Sequence, residues 1–220
     1  MINLLTLQKV KKHLYQYFVV ALLLLSSFQA AAQMKIYTRG VKIKDFTSKT
    51  TKVVLGGPQV FADALREEVS SLWSVSPYEF CTEGDYEKLK GSNDYYFLHL
   101  CPRDSVMFLT LDKGGKEGET NPLLQGFNLA DIPVFSQGDP SPSSVEYMAA
   151  FVDMMQNFIE AALRSEPVAY KGLKGSVQPK RRGANPVTLD ISPLSSSGPR
   201  YRLVFDADTH VLYSYGRFSR

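Results

Sequence analysis

Cys101 and His99 come nearest, by type and spacing, to a catalytic pair in this chain. Two residues apart on an extended strand, they point to the same face, and a thiol beside an imidazole has the chemistry of nucleophile and base for a small hydrolase or transferase. The spacing argues against that use. Side chains two apart on one strand are poorly placed for an in-line hydrogen bond, and no third residue is marked out to orient the histidine, so a packed strand histidine is the ordinary reading. Cys81 is the other of the two cysteines. In an oxidising compartment Cys81 and Cys101 are a disulfide candidate, with two buried free thiols as the alternative. Each closes a predicted strand. If those strands are neighbours a bond can form. If another strand lies between them, the separation is twice the ~4.8 Å strand spacing and beyond disulfide reach.

Asp206, Asp208 and His210 alternate oxygen and imidazole donors and can be read as metal ligands. They also stand where a hairpin turn uses aspartate to hold its own backbone, and no fourth ligand is close in sequence. Gly56-Gly57 before a helix resembles a phosphate-cradling turn, without the lysine-serine or further glycine that makes such a turn specific. Lys171, Lys174, Lys180, Arg181 and Arg182 form a cationic cluster. Either it docks with the tail on its own domain, or it faces an anionic partner such as lipid headgroups or cell-wall polymer. No serine has a nucleophile-elbow context, no carboxylate pair is marked out by pattern, and no cofactor is implied.

Residues 1–32 read as an export signal: Lys9, Lys11 and Lys12, an apolar run over 18–25, and Ala30-Ala31-Ala32 as a cleavage site. The run is short for a bilayer span of roughly 20 residues, and no cysteine follows it for lipid attachment. The expected location is therefore periplasmic or secreted, with no transmembrane segment in the mature chain. Losing those three lysines from 25 basic residues leaves 22 against 22 acidic ones. A neutral chain has no electrostatic footprint for nucleic acid. The charge is nonetheless uneven, with 13 basic and 18 acidic groups over 33–165 against 9 and 4 over 166–220.

The elements that must position these residues lie mostly between 52 and 111. A short β-branched run at 52–55 reads as a covered strand. An amphipathic helix follows from Val60, with Phe61, Leu65, Val69, Leu72 and Trp73 on one side. A strand is predicted over 78–81 and a short helix over 83–89 behind a Thr82/Asp85 capping box. Strands at 95–101 and 105–111 follow, whose three-residue link demands an antiparallel hairpin. Further on, 132–135 reads as a strand. Ser143 and Glu146 read as a capping box for a long helix to about Arg164, whose methionines suit core packing better than an adaptable groove. The segment 34–46 alternates loosely and reads as an arm or edge strand, 166–186 as a linker, and 187–220 as a strand followed by a hairpin. The expectation is an α/β (α+β) domain over 33–165. It would have a mixed sheet with a β-α-β-α-β-β core, the long helix packed on that sheet, and the tail hairpin docked on it.

This order of elements, over roughly 60 residues, resembles the small α/β domain at the amino terminus of the Tol-system periplasmic protein and in the curli-secretion lipoprotein group. The phrases Lys52-Val53-Val54-Leu55, Ser76-Pro77-Tyr78-Glu79-Phe80-Cys81 and Asp94-Tyr95-Tyr96-Phe97-Leu98 are similar to exported proteins of unknown function from anaerobic Gram-negative bacteria. The first resemblance implies protein-protein contacts in the envelope, and neither brings catalytic residues with it. The expected function is binding to another envelope protein. The alternatives are the Cys101/His99 enzyme and a small-ligand binder with its pocket at Gly56 and Gly57, near strand ends where α/β sheets place sites.

Overall fold

The computed structural model describes residues 38–116, 118–137, 142–193 and 198–218. The predicted export signal lies outside them, as do residues 34–37 of the arm. Five strands form one mixed sheet: β1 (Thr50–Val54), β2 (Tyr78–Cys81), β3 (Tyr95–Arg103), β4 (Val106–Lys113) and β5 (Phe127–Ser136), in the order β2-β1-β3-β4-β5. β1 pairs in parallel with both β2 and β3, while β3, β4 and β5 are antiparallel. Right-handed crossovers that leave β1 for β2 and then return past it to β3 place their helices on opposite faces. Helix α2 (Gln59–Leu72) accordingly stacks Phe61 on Phe135 at 4.2 Å on one face. Helix α3 (Glu83–Leu89) lays Tyr86 edge-on to Phe97, at 5.1 Å, on the other. α3 has the expected capping box, with Thr82 accepting from the Asp85 N–H and Asp85 accepting from the Thr82 N–H.

The first face is the core. Val53, Leu98, Leu109, Leu111 and Ile132 project from the strands and are fully buried under α2 and the 17-residue α5 (Met148–Arg164). Burial of side chains of this size stabilises by about 1.5–3 kcal/mol each. Met148, Met154 and Met155 on α5 are at most 1% exposed, in keeping with core packing. Gln156 joins the two helices: its Nε2 donates to the Leu72 carbonyl at the end of α2, and its Oε1 accepts from the Ser74 N–H at 2.7 Å. That arrangement meets backbone groups that a helix terminus leaves unpaired.

The long helix begins later than predicted. Residues Pro142–Val145 form a separate turn of helix (α4), and α5 starts after Tyr147, whose side chain does not cap it. Of the two readings of 34–46, arm or edge strand, the structure shows an arm with helical turns: α1 spans Arg39–Lys42 and a 3-10 turn spans Phe46–Ser48. The lysine-flanked apolar residues Ile43 and Phe46 are three apart, a helical interval, and both are buried. The arm is tied down by Lys113, whose Nζ donates to both Asp45 carboxylate oxygens at 3.1 Å, and by the Tyr96 hydroxyl, 2.6 Å from Asp45 Oδ1.

The expected linker is also ordered at its start. Glu166–Lys171 forms α6 and Gly172–Ser176 a 3-10 turn, and Ala169 and Leu173 are buried against the core. The tail is a second, antiparallel sheet, β6-β7-β8 (Pro186–Ile191, Arg200–Asp206, Leu212–Phe218). It docks through Leu203, Phe205 and Leu212, with Tyr201 edge-on to Phe108 at 5.1 Å.

Candidate functional site

The second face of the main sheet differs in kind from the first. Period-2 alternation in β3 sends Phe97, His99, Cys101 and Arg103 to this face, and the β4 register sets Thr110 opposite His99 and Asp112 opposite Phe97. β5 contributes Asn128 opposite Asp112 and Asp131 opposite Thr110. These side chains form one continuous network. His99 Nε2 lies 2.8 Å from Asp112 Oδ2, and the Asn128 amide donates to Asp112 Oδ1 at 3.0 Å and to Asp131 Oδ1 at 2.9 Å. The Thr110 hydroxyl donates to Asp131 Oδ1 at 3.1 Å, and Arg103 donates to Asp131 Oδ2 at 3.0 Å and to Thr110.

A carboxylate can only accept, so neutral His99 carries its proton on Nε2 and keeps Nδ1 as an acceptor. Tyr86 of α3 lies against the imidazole, ring centres 4.8 Å apart. At the other end the Arg103 guanidinium sits over the Phe108 ring, 4.4 Å from its centre. Burial opposes the charge on Arg103, but the bond to Asp131 outweighs it and raises the pKa. The strip thus sets two carboxylates, Asp112 and Asp131, against the Arg103 guanidinium and the His99 imidazole. Helix α3 borders it on one side and the tail sheet on the other.

Three sequence-derived candidates lie on or near this face. Cys101 is on this face, but His99 is bonded to Asp112 instead, and burial pushes the Cys101 thiol upward in pKa. A protonated thiol is a poor nucleophile. Cys81 is likewise a free thiol raised chiefly by burial, and β1 stands between its strand and β3. No disulfide joins the pair, because the intervening strand doubles the separation. The Gly56-Gly57 turn is not an anion cradle: Glu83 fills the space at Gly56, where a Cβ would collide with its side chain. A cleft of about 240 Å3 does open there, lined by Gly56, Glu83, Glu87 and His99.

Asp206 is a turn residue. Its carboxylate accepts from the backbone N–H groups of Asn185, Asp208 and Thr209 and from the Tyr213 hydroxyl. Burial pushes its pKa up, but these bonds win and bring it down to about 2. Asp208 lies in the same turn, while His210 turns away to Asp153, its Nδ1 2.7 Å from Oδ2. Among the described residues no cluster of three or more His, Cys, Asp or Glu side chains could hold a metal ion. The cationic cluster is dispersed: Lys174 enters a cleft with Arg103 and Tyr215, Arg181 enters another beside Arg164, and Lys171, Lys180 and Arg182 are exposed.

Sequence reasoning singled out His99 in the strip and missed Asp112, Asn128, Asp131, Thr110 and Arg103. A signal was available. In the predicted hairpin, His99 and Thr110 fall on one face, while Arg103 and Asp112 join them because both strands run further than predicted, to Arg103 and Lys113. No family model matches this chain, and no curated protein or solved structure matches it either. Among the described residues no helix is long and apolar enough to cross a membrane.

Proposed function

We propose that this is an exported cell-envelope protein that acts by binding another envelope protein, and that its contact surface is the polar strip on the second sheet face. The observation that carries this reading is the network from His99 to Arg103. It is internally satisfied, and its exposed members, Asn128 and Arg103, share their face with the half-buried ring of Tyr86. An aromatic ring and an arginine beside ordered polar groups are a composition in which interface energy concentrates. Arg103, 44% exposed, gives a partner a charged group to meet. For the Cys/His enzyme reading, Asp112 supplies an orienting partner for His99, but His99 makes no hydrogen bond to Cys101, whose thiol pKa burial raises.

One observation favours small-ligand binding as a second reading: the 240 Å3 cleft beside Gly56, which lies at the carboxyl end of β1, where parallel strands present ligands. In-cell crosslinking of the tagged protein, followed by mass spectrometry of the adducts, separates the two. Protein binding predicts one dominant envelope partner. Its absence, with crosslinking validated on a control protein, would overturn that reading.

A further inference from the structure

A cavity of about 300 Å3 lies on the opposite side of the molecule from the strip, between α5 and the tail sheet. Its floor is apolar: Met154 and Leu212 line it and are 1% and 3% exposed. Its rim is cationic and amide-rich. Arg164 arrives from the last turn of α5, Arg181 from the turn before β6, and His210 from the β7–β8 turn, while Asn157 and Gln178 supply amides.

His210 is held there in an unusual way. Its backbone is in the left-handed region, φ 54, which is uncommon for a residue with a Cβ. The turn itself accounts for this, since the His210 N–H donates to the Asp206 carbonyl at 2.9 Å. Asp153 accepts from Nδ1, which leaves Nε2 of the neutral ring an acceptor. The acids nearby are committed: Asp153 to His210, and Glu160 to Arg164 at 3.5 Å along the surface of α5.

We propose that this cavity binds a small amphiphilic carboxylate, its alkyl part on the Met154–Leu212 floor and its carboxylate between Arg181 and Arg164. Guanidinium groups match a carboxylate's two oxygens in a planar, bidentate fashion. An inorganic anion would leave the apolar floor unused, and a neutral lipid would leave the arginines unanswered. The inference is independent of the protein-binding strip, since none of its residues belongs to that network.

The test is a titration of the protein, purified as its host processes it, with hexanoate and in parallel with hexanamide, followed by backbone amide NMR. Hexanoate is expected to give saturable shifts at Ala161, Val211 and Leu212, with a dissociation constant on the order of a millimolar for so few atoms. Hexanamide keeps the shape and loses the charge, and should bind at least roughly tenfold more weakly. The double variant Arg164→Gln/Arg181→Gln should lose a similar factor. Both side chains are on the rim, so its spectrum should otherwise be retained. Equal binding of acid and amide, no saturable shift, or full affinity in the double variant would each overturn the proposal.

Discussion

The two faces of the five-stranded sheet are made by the same strands and do opposite things. On one face Leu98, Leu109, Leu111 and Ile132 are fully buried under two helices. On the other, residues one step along the same strands, His99, Thr110, Asp112 and Asp131, are held by hydrogen bonds beneath a single short helix and the margin of the tail sheet. A sheet covered on both faces solely for stability would be apolar on both. This one is apolar on the core face, while on the other it mixes buried apolar residues such as Phe97 and Phe108 with an ordered polar strip whose outer members, Asn128 and Arg103, reach solvent.

That contrast is broken most strongly on the core face. Leu98→Ala should cost about 2–5 kcal/mol in urea unfolding, since it opens a cavity at a fully buried site, while partner capture per folded molecule stays unchanged. Asp45→Ala comes next. It leaves the ammonium of Lys113, which is 3% exposed, with only the Lys42 carbonyl, and the Tyr96 hydroxyl without its acceptor, and should cost about 1–3 kcal/mol. Burial lowers the Lys113 pKa and Asp45 only partly counteracts this, so the variant should lower it further, as direct lysine titration would reveal.

Acid separates the tail from both faces. Asp206 has a folded pKa of about 2, below its unfolded value. Its contribution is therefore complete above the ordinary carboxylate range and is lost as pH falls toward 2. Melting temperature measured against pH should show Asp206→Asn destabilised at neutral pH, with the gap to the parent closing in that acid window.

On the polar face the effects invert. Arg103→Gln should shift stability by no more than about 1 kcal/mol, because its side chain is 44% exposed, yet should reduce partner crosslinking severalfold. Smallest of all, Cys101→Ser should leave melting within about 0.5 kcal/mol of the parent, and melting of the parent should be the same with or without reductant.

How much of this was legible follows the range of the forces involved. β2, α3 with its Thr82/Asp85 box, the β3–β4 hairpin and the tail strands were readable because turn, cap and alternation signals act within a few residues. The arm's helical turns were not legible because Ile43 and Phe46 among lysines fit a loose alternation as well as a helical interval. The stretch after Glu166 was misread because its Gly and Lys content hid the buried pair Ala169 and Leu173. Strand order, which decides the fate of Cys81 and Cys101, depends on pairings between distant segments and left no local mark. For the same reason His99 stood out by type, while Asp131, 32 residues on, joins it only through β5 pairing. The His210–Asp153 contact spans 57 residues and had no sequence signal.

The most direct measurement sets the two sides of the sheet against each other in the cell. A photo-crosslinking amino acid would replace Glu87, exposed on α3 at the margin of the strip, and in a parallel strain Glu67, exposed on the outer side of α2. The account predicts a specific adduct with one envelope protein from position 87 and none from position 67. Equal labelling from both positions, or a specific adduct from 67 alone, would contradict it.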